Sequence, residues 1–282
     1  MRSKIQTASN SAPPYTGGIS IKSSQELELM RRAGRIMGVT LAALRKAVVP
    51  GVATQELDAV ALREMRRLGG KPTFKGYRGF PAAICASINE EIVHGIPGDR
   101  VVREGDLVKL DVGVTLDGMI ADAAITVAAG VPSSRAAELV EVTRLALDEA
   151  IRACRKGKHV GDIGAAIQGY VEPRGFSAVR EYVGHGVGRY LHEEPQIPNY
   201  GQPGMGPALL PGMTIAIEPM VNAGGWKTAW RSKSSGSYWG ESTMSRMPFW
   251  PSTLEPVAPS LKTGHRCSSV CTSSFLRSRD ST

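Results

Sequence analysis

The chain has 282 residues, of which 42% are apolar and 21% are charged, and its formal net charge is +8. This balance is ordinary for a globular protein with a buried core, so it excludes a collagen-like or wholly disordered chain. No run approaches the roughly 20 consecutive apolar residues of a membrane-spanning helix. The four cysteines lack the CxxC spacing of a zinc module and are too few to staple the fold, so a reducing cytoplasm is expected.

Two helices are predicted near the start of the chain. Ser23 and Glu26 have the spacing of a capping box, in which each side chain accepts a hydrogen bond from the backbone of the other residue. Apolar residues at helical spacing then predict a helix over residues 24–47. Thr54 can cap a second helix, which Gly69-Gly70 ends.

A similar unit returns 106 residues further along the chain. A helix predicted over residues 136–154 parallels the first, and Ile163 and Ile167 follow it at helical spacing. The constant offset predicts two similar halves, each with two helices followed by strands. The predicted fold class is therefore α+β.

The strand predictions rest on short apolar runs bounded by turn residues. The clearest run is a hairpin from Leu107 to Val127, because Asp117-Gly118 is a strong two-residue turn signal. Shorter strands are predicted at Ile84–Ile88, Ile92–Ile96, Val179–Val187 and Met213–Val221.

The hairpin places two aspartates on one face. With Asp117-Gly118 as the turn, Leu116 faces Met119. Counting by twos from that pair makes Asp111 and Asp122 diagonal neighbours. Two carboxylates in an apolar strand pair repel each other unless a cation lies between them. A metal site is one interpretation, and a solvated outer face of the hairpin is the other.

The second half offers three further candidates: His185 between glycines, His192, and Glu218 at the end of an apolar run. Each alone is as well explained by a buried histidine with a backbone partner or by an edge-strand glutamate. The offset between the halves favours a functional role for these residues over a purely structural one, because it makes Glu218 the counterpart of Asp111. His94 likewise precedes the first hairpin much as His185 precedes the next strand.

Carboxylates and one imidazole from two facing half-sheets form a hard, oxygen-rich set of donors. Such a set suits two divalent ions that share a bridging hydroxide. Manganese, iron(II) or cobalt(II) fit it better than a structural zinc, which favours thiolates.

Several sequence strings between residues 19 and 228 together resemble the type I methionine aminopeptidases. They are Phe74-Lys-Gly-Tyr77-Arg-Gly-Phe80-Pro81, Ser87-Ile-Asn-Glu-Glu-Ile-Val-His94-Gly-Ile-Pro97, Leu110-Asp111-Val112, Gly118-Met-Ile-Ala-Asp122, Gly184-His185-Gly-Val-Gly188, His192-Glu-Glu-Pro195 and Ile217-Glu218-Pro-Met-Val-Asn-Ala-Gly224. The resemblance implies the pita-bread fold, with two pseudo-symmetric halves that each pack two helices on antiparallel strands.

The resemblance also implies a role for each of the matching site residues. The implied ligands of a metal pair (Co²⁺, Mn²⁺, Fe²⁺ or Zn²⁺) are Asp111, Asp122, His185 and Glu218. The implied catalytic side chains, which contact the substrate or transfer a proton, are His94, His192 and Glu218. The implied contacts of the methionine side chain are Tyr77, Phe80 and Cys85.

The implied reaction removes the initiator methionine from nascent polypeptides that have a small second residue. Nascent chains with N-terminal methionine are therefore the expected partners. The basic net charge makes the ribosome a further candidate partner. Neither a membrane nor a specific DNA sequence is expected.

Three features depart from the family pattern. Arg78 replaces a histidine, and Leu191 stands where many members have phenylalanine. The third concerns a second bridging glutamate that the family carries beyond the position of Glu218. Here the nearest carboxylates are Glu241 and Glu255, and neither lies in the family's strand context.

Three regions follow from these patterns. Residues 1–18 are polar and predict a disordered leader, residues 19–228 form the catalytic domain with incomplete C-terminal strands, and residues 229–282 are a non-family tail. Serine makes up 14 of the 54 tail residues, and no helical or alternating period continues there. The tail is therefore expected to offer no return strand for Met213–Val221. A reading-frame slip near Thr228 would explain the change and would leave the tail disordered.

Two alternative functions stay open. A proline-specific peptidase has the same fold, although the motif strings favour the methionine aminopeptidases. A catalytically impaired member that only binds nascent chains or the ribosome would agree with the missing glutamate.

Overall fold

The computed structural model describes residues 18–225 and the backbone of two short strands near the end of the chain. The α-helices of this part fall into two pairs, whose positions confirm the predicted helices: α1 (Ser24–Ala47) with α2 (Thr54–Arg67), and α3 (Ser134–Ala153) with α4 (Val160–Val171). Among these described helices, none combines the length and the apolar surface that crossing a membrane requires.

The helix starts confirm one predicted cap and correct the other. At α1, the Glu26 N–H donates to the Ser23 hydroxyl at 3.3 Å and the Ser23 N–H donates to the Glu26 carboxylate at 2.9 Å. Thr54 was predicted to cap α2, but it is the first residue inside that helix. Its hydroxyl instead exchanges hydrogen bonds with the backbone of Gly98 at 2.9 and 3.0 Å. Thr54 therefore anchors the loop that carries His94.

The first half-sheet is antiparallel, and β3 pairs with each of its other strands. Its strands are β1 (Lys71–Pro72), β2 (Ile84–Ile88), β3 (Leu107–Leu116) and β4 (Met119–Ala128). The predicted hairpin and its register are confirmed, because Gly113 lies opposite Asp122. Asp117 and Gly118 have φ angles of 49° and 81°, which form the two-residue turn.

The second half has two small sheets built from shorter strands. They are β5 (Ser177–Ala178), β6 (Gly184–Gly186), β7 (Glu193–Ile197), β8 (Ile215–Ile217) and β9 (Met220–Asn222). β6 pairs with β7 and β8, and β5 pairs with β9, all antiparallel.

Three strand predictions need correction. The run Val179–Val187 keeps strand structure only at β6. The run Met213–Val221 is interrupted at Glu218-Pro219, because proline has no N–H to donate to a strand ladder. The run Ile92–Ile96 is a loop rather than a strand.

Two strands from the end of the chain each extend one of the two sheets of the second half. β10 (Ser269–Cys271) pairs with the outer edge of β9, and β11 (Ser274–Phe275) pairs with the outer edge of β8. The prediction that this segment offers no return strand is therefore wrong. Residues 1–17 of the predicted leader, the proposed frame slip, and the surroundings of Glu241 and Glu255 lie outside the described residues.

Each half has an apolar core between its helix pair and its strands. Large members of the two cores are Leu44, Leu57, Met65 and Leu110 in the first half, and Leu139, Ile163, Ile167 and Ile217 in the second. A third cluster, which we call the junction cluster, takes its residues from both halves: Met30, Phe80, Cys85, Met119, Val187 and Leu191 are members. It joins the halves next to the candidate site.

Candidate metal centre

Three of the side chains selected from the sequence lie together where the two halves meet. One ligand atom each from Asp122 in β4, His185 in β6 and Glu218 after β8 lies within 4.8 Å of the others. His185 faces Ala216 across the β6–β8 ladder, which brings it beside Glu218. Asp111 in β3 lies diagonally across from Asp122 in β4, as the register predicts, because Asp111 pairs with Ala124 and Gly113 pairs with Asp122.

The imidazole of His185 is oriented by its own backbone. Nδ1 lies 2.8 Å from the carbonyl oxygen of Gly186, and a carbonyl can only accept, so Nδ1 carries the proton. Nε2 then faces Glu218 Oε1 at 3.2 Å and Asp122 Oδ2 at 3.5 Å. Burial alone would lower the pKa of His185, but the two carboxylates raise it well above 6.5. Nε2 therefore requires a positive partner, which a proton or a metal ion can supply.

The carboxyl groups are crowded and short of water. Burial raises the pKa of Asp111 well above its usual range, and the charges of Asp122 and Glu218 add to this effect. Burial also raises the pKa of Asp122. Asp122 Oδ1 is buried and has no hydrogen-bond partner among the described residues. An orphaned carboxylate oxygen beside a directed imidazole nitrogen fits a divalent metal ion.

His94 lies in a tight loop beside the cluster. Its φ of 61° is in the left-handed region, which costs energy for a residue with a side chain. The next residue, Gly95, donates its N–H to the Ser87 hydroxyl at 2.9 Å, and a Cβ on Gly95 would lie 2.3 Å from the carbonyl oxygen of Ala86. The loop is thus held tightly against β2. Burial lowers the pKa of His94 to about 4, so its imidazole is neutral at pH 7.

His192 lies next to His185. The two ring centres are 4.4 Å apart, and His192 Nδ1 is 3.1 Å from the hydroxyl of Tyr77. Loss of hydration lowers the pKa of His192, and the neighbouring His185 and Arg78 lower it further. This histidine is therefore also neutral at pH 7.

The residues expected to contact methionine lie in or against the junction cluster. Phe80 and Cys85 are 1% and 2% exposed, and Tyr77 packs against the same cluster. Cys85 in β2 faces Asp111 in β3, so the apolar surface directly adjoins the carboxylates. Arg78 places its guanidinium 5.5 Å from the ring centre of Tyr77.

Sequence reasoning missed one part of this region. Glu193, the residue after His192, forms an ion pair with Lys22, and each of the two side chains is 1% exposed. Buried charges of this kind are rare without a partner. No pattern in the sequence links Lys22 to Glu193, because 171 residues separate them.

The family model of metallopeptidase family M24 matches residues 28–244 of the chain. The chain belongs to this family. This M24 chain is 50% identical over 206 residues to methionine aminopeptidase 1 of Bacillus subtilis. The aligned segment covers 73% of this chain and 83% of the relative. It superposes on the crystal structure of methionine aminopeptidase from Thermotoga maritima with a TM-score of 0.79 at 40% identity, covering 92% and 94% of the two chains. The predicted pita-bread fold is thereby confirmed.

A proline-specific member of the fold is less similar to this M24 chain. Prolidase from Pyrococcus furiosus superposes with a TM-score of 0.62 at 25% identity, covering 71% of this chain and 57% of the prolidase. As a metallopeptidase, the M24 chain uses a divalent metal, and the cluster of Asp122, His185 and Glu218 fits one.

Proposed function

We propose that this chain removes the N-terminal methionine from nascent polypeptides by metal-assisted hydrolysis of the first peptide bond. The observation that carries the proposal is the adjacency of the carboxylate–histidine cluster and the apolar junction cluster, which meet at Cys85 and Asp111. The similarity to methionine aminopeptidases of Bacillus subtilis and Thermotoga maritima supports it.

The proposed metal ligands are Asp111, Asp122, His185 and Glu218, which would hold two divalent ions (Co²⁺, Mn²⁺, Fe²⁺ or Zn²⁺). When bound, such ions supply a nucleophile from water at neutral pH and polarise the scissile carbonyl. The free α-amino group of the substrate would lie near these ions.

The chain's own side chains carry the remaining steps. Glu218 takes the proton of the attacking water and passes it to the leaving amine. His94 and His192 are neutral, so each can donate a ring N–H to the substrate carbonyl and stabilise the tetrahedral intermediate. Tyr77, Phe80 and Cys85 form the apolar contact for the unbranched thioether of methionine.

The proposal places the enzyme in the cytoplasm, where nascent chains with N-terminal methionine are its partners. The ribosome is a further proposed partner, supported by the net charge of +8. Neither a membrane nor a specific DNA sequence has a role in the proposed reaction.

The test is methionine release from a Met-Ala-Ser peptide by the purified 282-residue chain with added Mn²⁺ or Co²⁺. The expected result is release that a chelator abolishes and that Asp122→Asn removes. Glu141→Gln is the matched control, because Glu141 is an exposed carboxylate on α3. Hydrolysis of an Ala-Pro dipeptide without release from Met-Ala-Ser would instead establish the proline-specific alternative.

A second candidate function rests on the expectation from the sequence that the family's second bridging glutamate has no counterpart beyond Glu218. A chain that binds nascent peptides without cleaving them should hold fewer than two metal ions. Metal content of the folded protein, measured by inductively coupled plasma mass spectrometry after dialysis, distinguishes the two. Two retained ions with peptide cleavage would exclude the binding-only function.

A further inference from the structure

Glu193 is the centre of a buried polar network next to the candidate site. Its Oε1 accepts hydrogen bonds from the backbone N–H of Arg189 at 2.7 Å and of Tyr190 at 3.0 Å. Its Oε2 accepts from the Ser20 hydroxyl at 2.6 Å and from the Lys22 ammonium. One carboxylate therefore ties the turn after β6 to the segment that precedes α1.

Lys22 reaches Glu193 through a space that only a glycine leaves open. A Cβ on Gly188 would lie 2.2 Å from Lys22 Cε and 2.9 Å from its Nζ. The Lys22 N–H donates to the carbonyl of Gly212 at 2.9 Å, which fixes the start of its side chain. The carbonyl of Gly188 accepts from the Ile120 N–H at 2.7 Å, so the same turn is also fixed to β4.

The turn between Gly188 and Glu193 carries two residues that face the site. Leu191 is 3% exposed and belongs to the junction cluster. His192 lies against His185 and next to the Tyr77 hydroxyl. Glu193 directly follows His192, so the backbone that its carboxylate anchors is the backbone that carries the imidazole.

The network depends on the charge of Lys22. Burial alone would raise the pKa of Glu193, but hydrogen bonds from Lys22, Ser20 and Tyr190 lower it below 4.5. Removing one partner of a buried ion pair leaves an uncompensated charge, whereas removing both leaves none. The two single substitutions and the double substitution therefore have distinguishable effects.

We propose that Glu193 is a positioning residue for His192, and that Lys22, from the segment before α1, is the counter-charge that holds Glu193 in place. This inference rests on the proposed function, because it assumes that His192 acts in peptide hydrolysis. It adds a contribution of the segment before α1 to the site, through contacts that reach neither metal ligands nor substrate.

The first test compares Lys22→Met, Glu193→Gln and the double variant in methionine release from Met-Ala-Ser with Mn²⁺. Each single variant is expected to lose about 10- to 100-fold in kcat, with KM changed much less, because the imidazole is misplaced while the metal ligands and the apolar contacts remain. The double variant is expected to recover much of this loss, since its Met–Gln pair carries no buried charge. Glu141→Gln is the control for loss of a carboxylate elsewhere.

The second test observes His192 itself. The imidazole resonances of the ¹⁵N-labelled, Zn²⁺-loaded full chain are recorded for the parent and for both single variants. The signals of His192 are expected to move, while those of His159, at the start of α4, stay in place.

A kcat equal to that of the parent in both single variants would overturn the inference. It would also be overturned if the His192 signals stay in place and the loss of activity is explained by a lower melting temperature alone. If the parent chain releases no methionine, the proposed function fails, and the resonances alone decide the positioning role. Unmoved signals would then overturn it as well.

Discussion

A single backbone hydrogen bond determines what His185 can do. Because Nδ1–H donates to the carbonyl of Gly186, Nε2 of the neutral ring faces two carboxylates without a proton of its own. A divalent ion can satisfy Nε2 and the orphaned Asp122 Oδ1 together. At the residue scale, Nε2 thus needs a positive partner, which is a divalent ion when one is bound and a second proton when none is.

Substituting Glu218 tests whether the carboxylates around His185 bind a divalent ion. Glu218→Gln removes one charge that faces His185, so the affinity for Mn²⁺ is expected to fall by about 100-fold. Isothermal titration calorimetry on the metal-free protein measures the change. The matched Glu141→Gln variant should bind Mn²⁺ like the parent, and parent-like binding by Glu218→Gln would rule out its role as a ligand.

Glu193 should make the protein sensitive to acid. Its pKa is below 4.5 in the folded state, so its stabilisation is present above pH 4.5 and is lost as the pH falls through the folded-state pKa. Glu193→Gln is expected to lower the free energy of unfolding by about 3 kcal/mol at pH 7 and by less below pH 4.5. Urea unfolding at pH 7 and at pH 4, with chelator in both proteins, measures the difference. A gap between variant and parent that does not narrow at pH 4 would contradict the assignment.

At the scale of elements, the site depends on how closely β6 approaches β8. A Cβ on Gly184 would lie 2.3 Å from the carbonyl oxygen of Ala216. That oxygen belongs to the neighbouring strand and cannot move away without shifting Glu218. The glycine before His185 is therefore required by strand spacing, whatever the chemistry of the imidazole.

A pair of glycine substitutions tests this requirement. Gly184→Ala is expected to destabilise the fold by about 3 kcal/mol and to weaken Mn²⁺ binding, because the strands must separate. Gly38→Ala in α1 meets no atom within 4 Å and should stabilise the fold by about 0.5–1 kcal/mol. Thermal unfolding and metal titration of both variants give the comparison. Equal stability of the two variants would show that β6 and β8 can adjust to the added methyl group.

The elements also show where sequence patterns succeed. The helices and the β3–β4 hairpin follow from local signals, namely the Ser23 cap, apolar periodicity and the Asp117-Gly118 turn. The strand prediction for Ile92–Ile96 is wrong because contacts of Gly95 with Ala86 and Ser87 set the conformation of this segment. These contacts leave no local pattern in the sequence. The same holds for Thr54, whose hydroxyl bonds to Gly98 instead of capping its helix.

At the scale of the whole molecule, the two halves contribute carboxylates to one partly buried cluster. Asp111 and Asp122 come from the first half, and His185 and Glu218 from the second. Without a cation, the carboxylates of Asp111, Asp122 and Glu218 repel one another across the junction, which opposes the joining of the halves. Metal binding should therefore stabilise the assembled pair of halves.

Metal removal tests this consequence. Dialysis against a chelator is expected to lower the melting temperature by about 5–10 °C relative to the protein in excess Mn²⁺. Differential scanning fluorimetry measures it, with Asp122→Asn as the comparison that should respond little to the metal. A parent protein with the same melting temperature in chelator and in Mn²⁺ would show that the cluster does not hold the ion.

The sequence by itself determined the repeat of two halves, the helices, the hairpin register and the set of chemically capable side chains, because these depend on neighbours along the chain. Only the tertiary structure decided that Asp122, His185 and Glu218 meet within 4.8 Å, that Nε2 of His185 is the nitrogen that faces the carboxylates, and that the β10 and β11 strands pair with β9 and β8. It also decided the pairing of Lys22 with Glu193. Contacts between residues far apart in sequence arise from packing and burial, and local patterns carry no record of either.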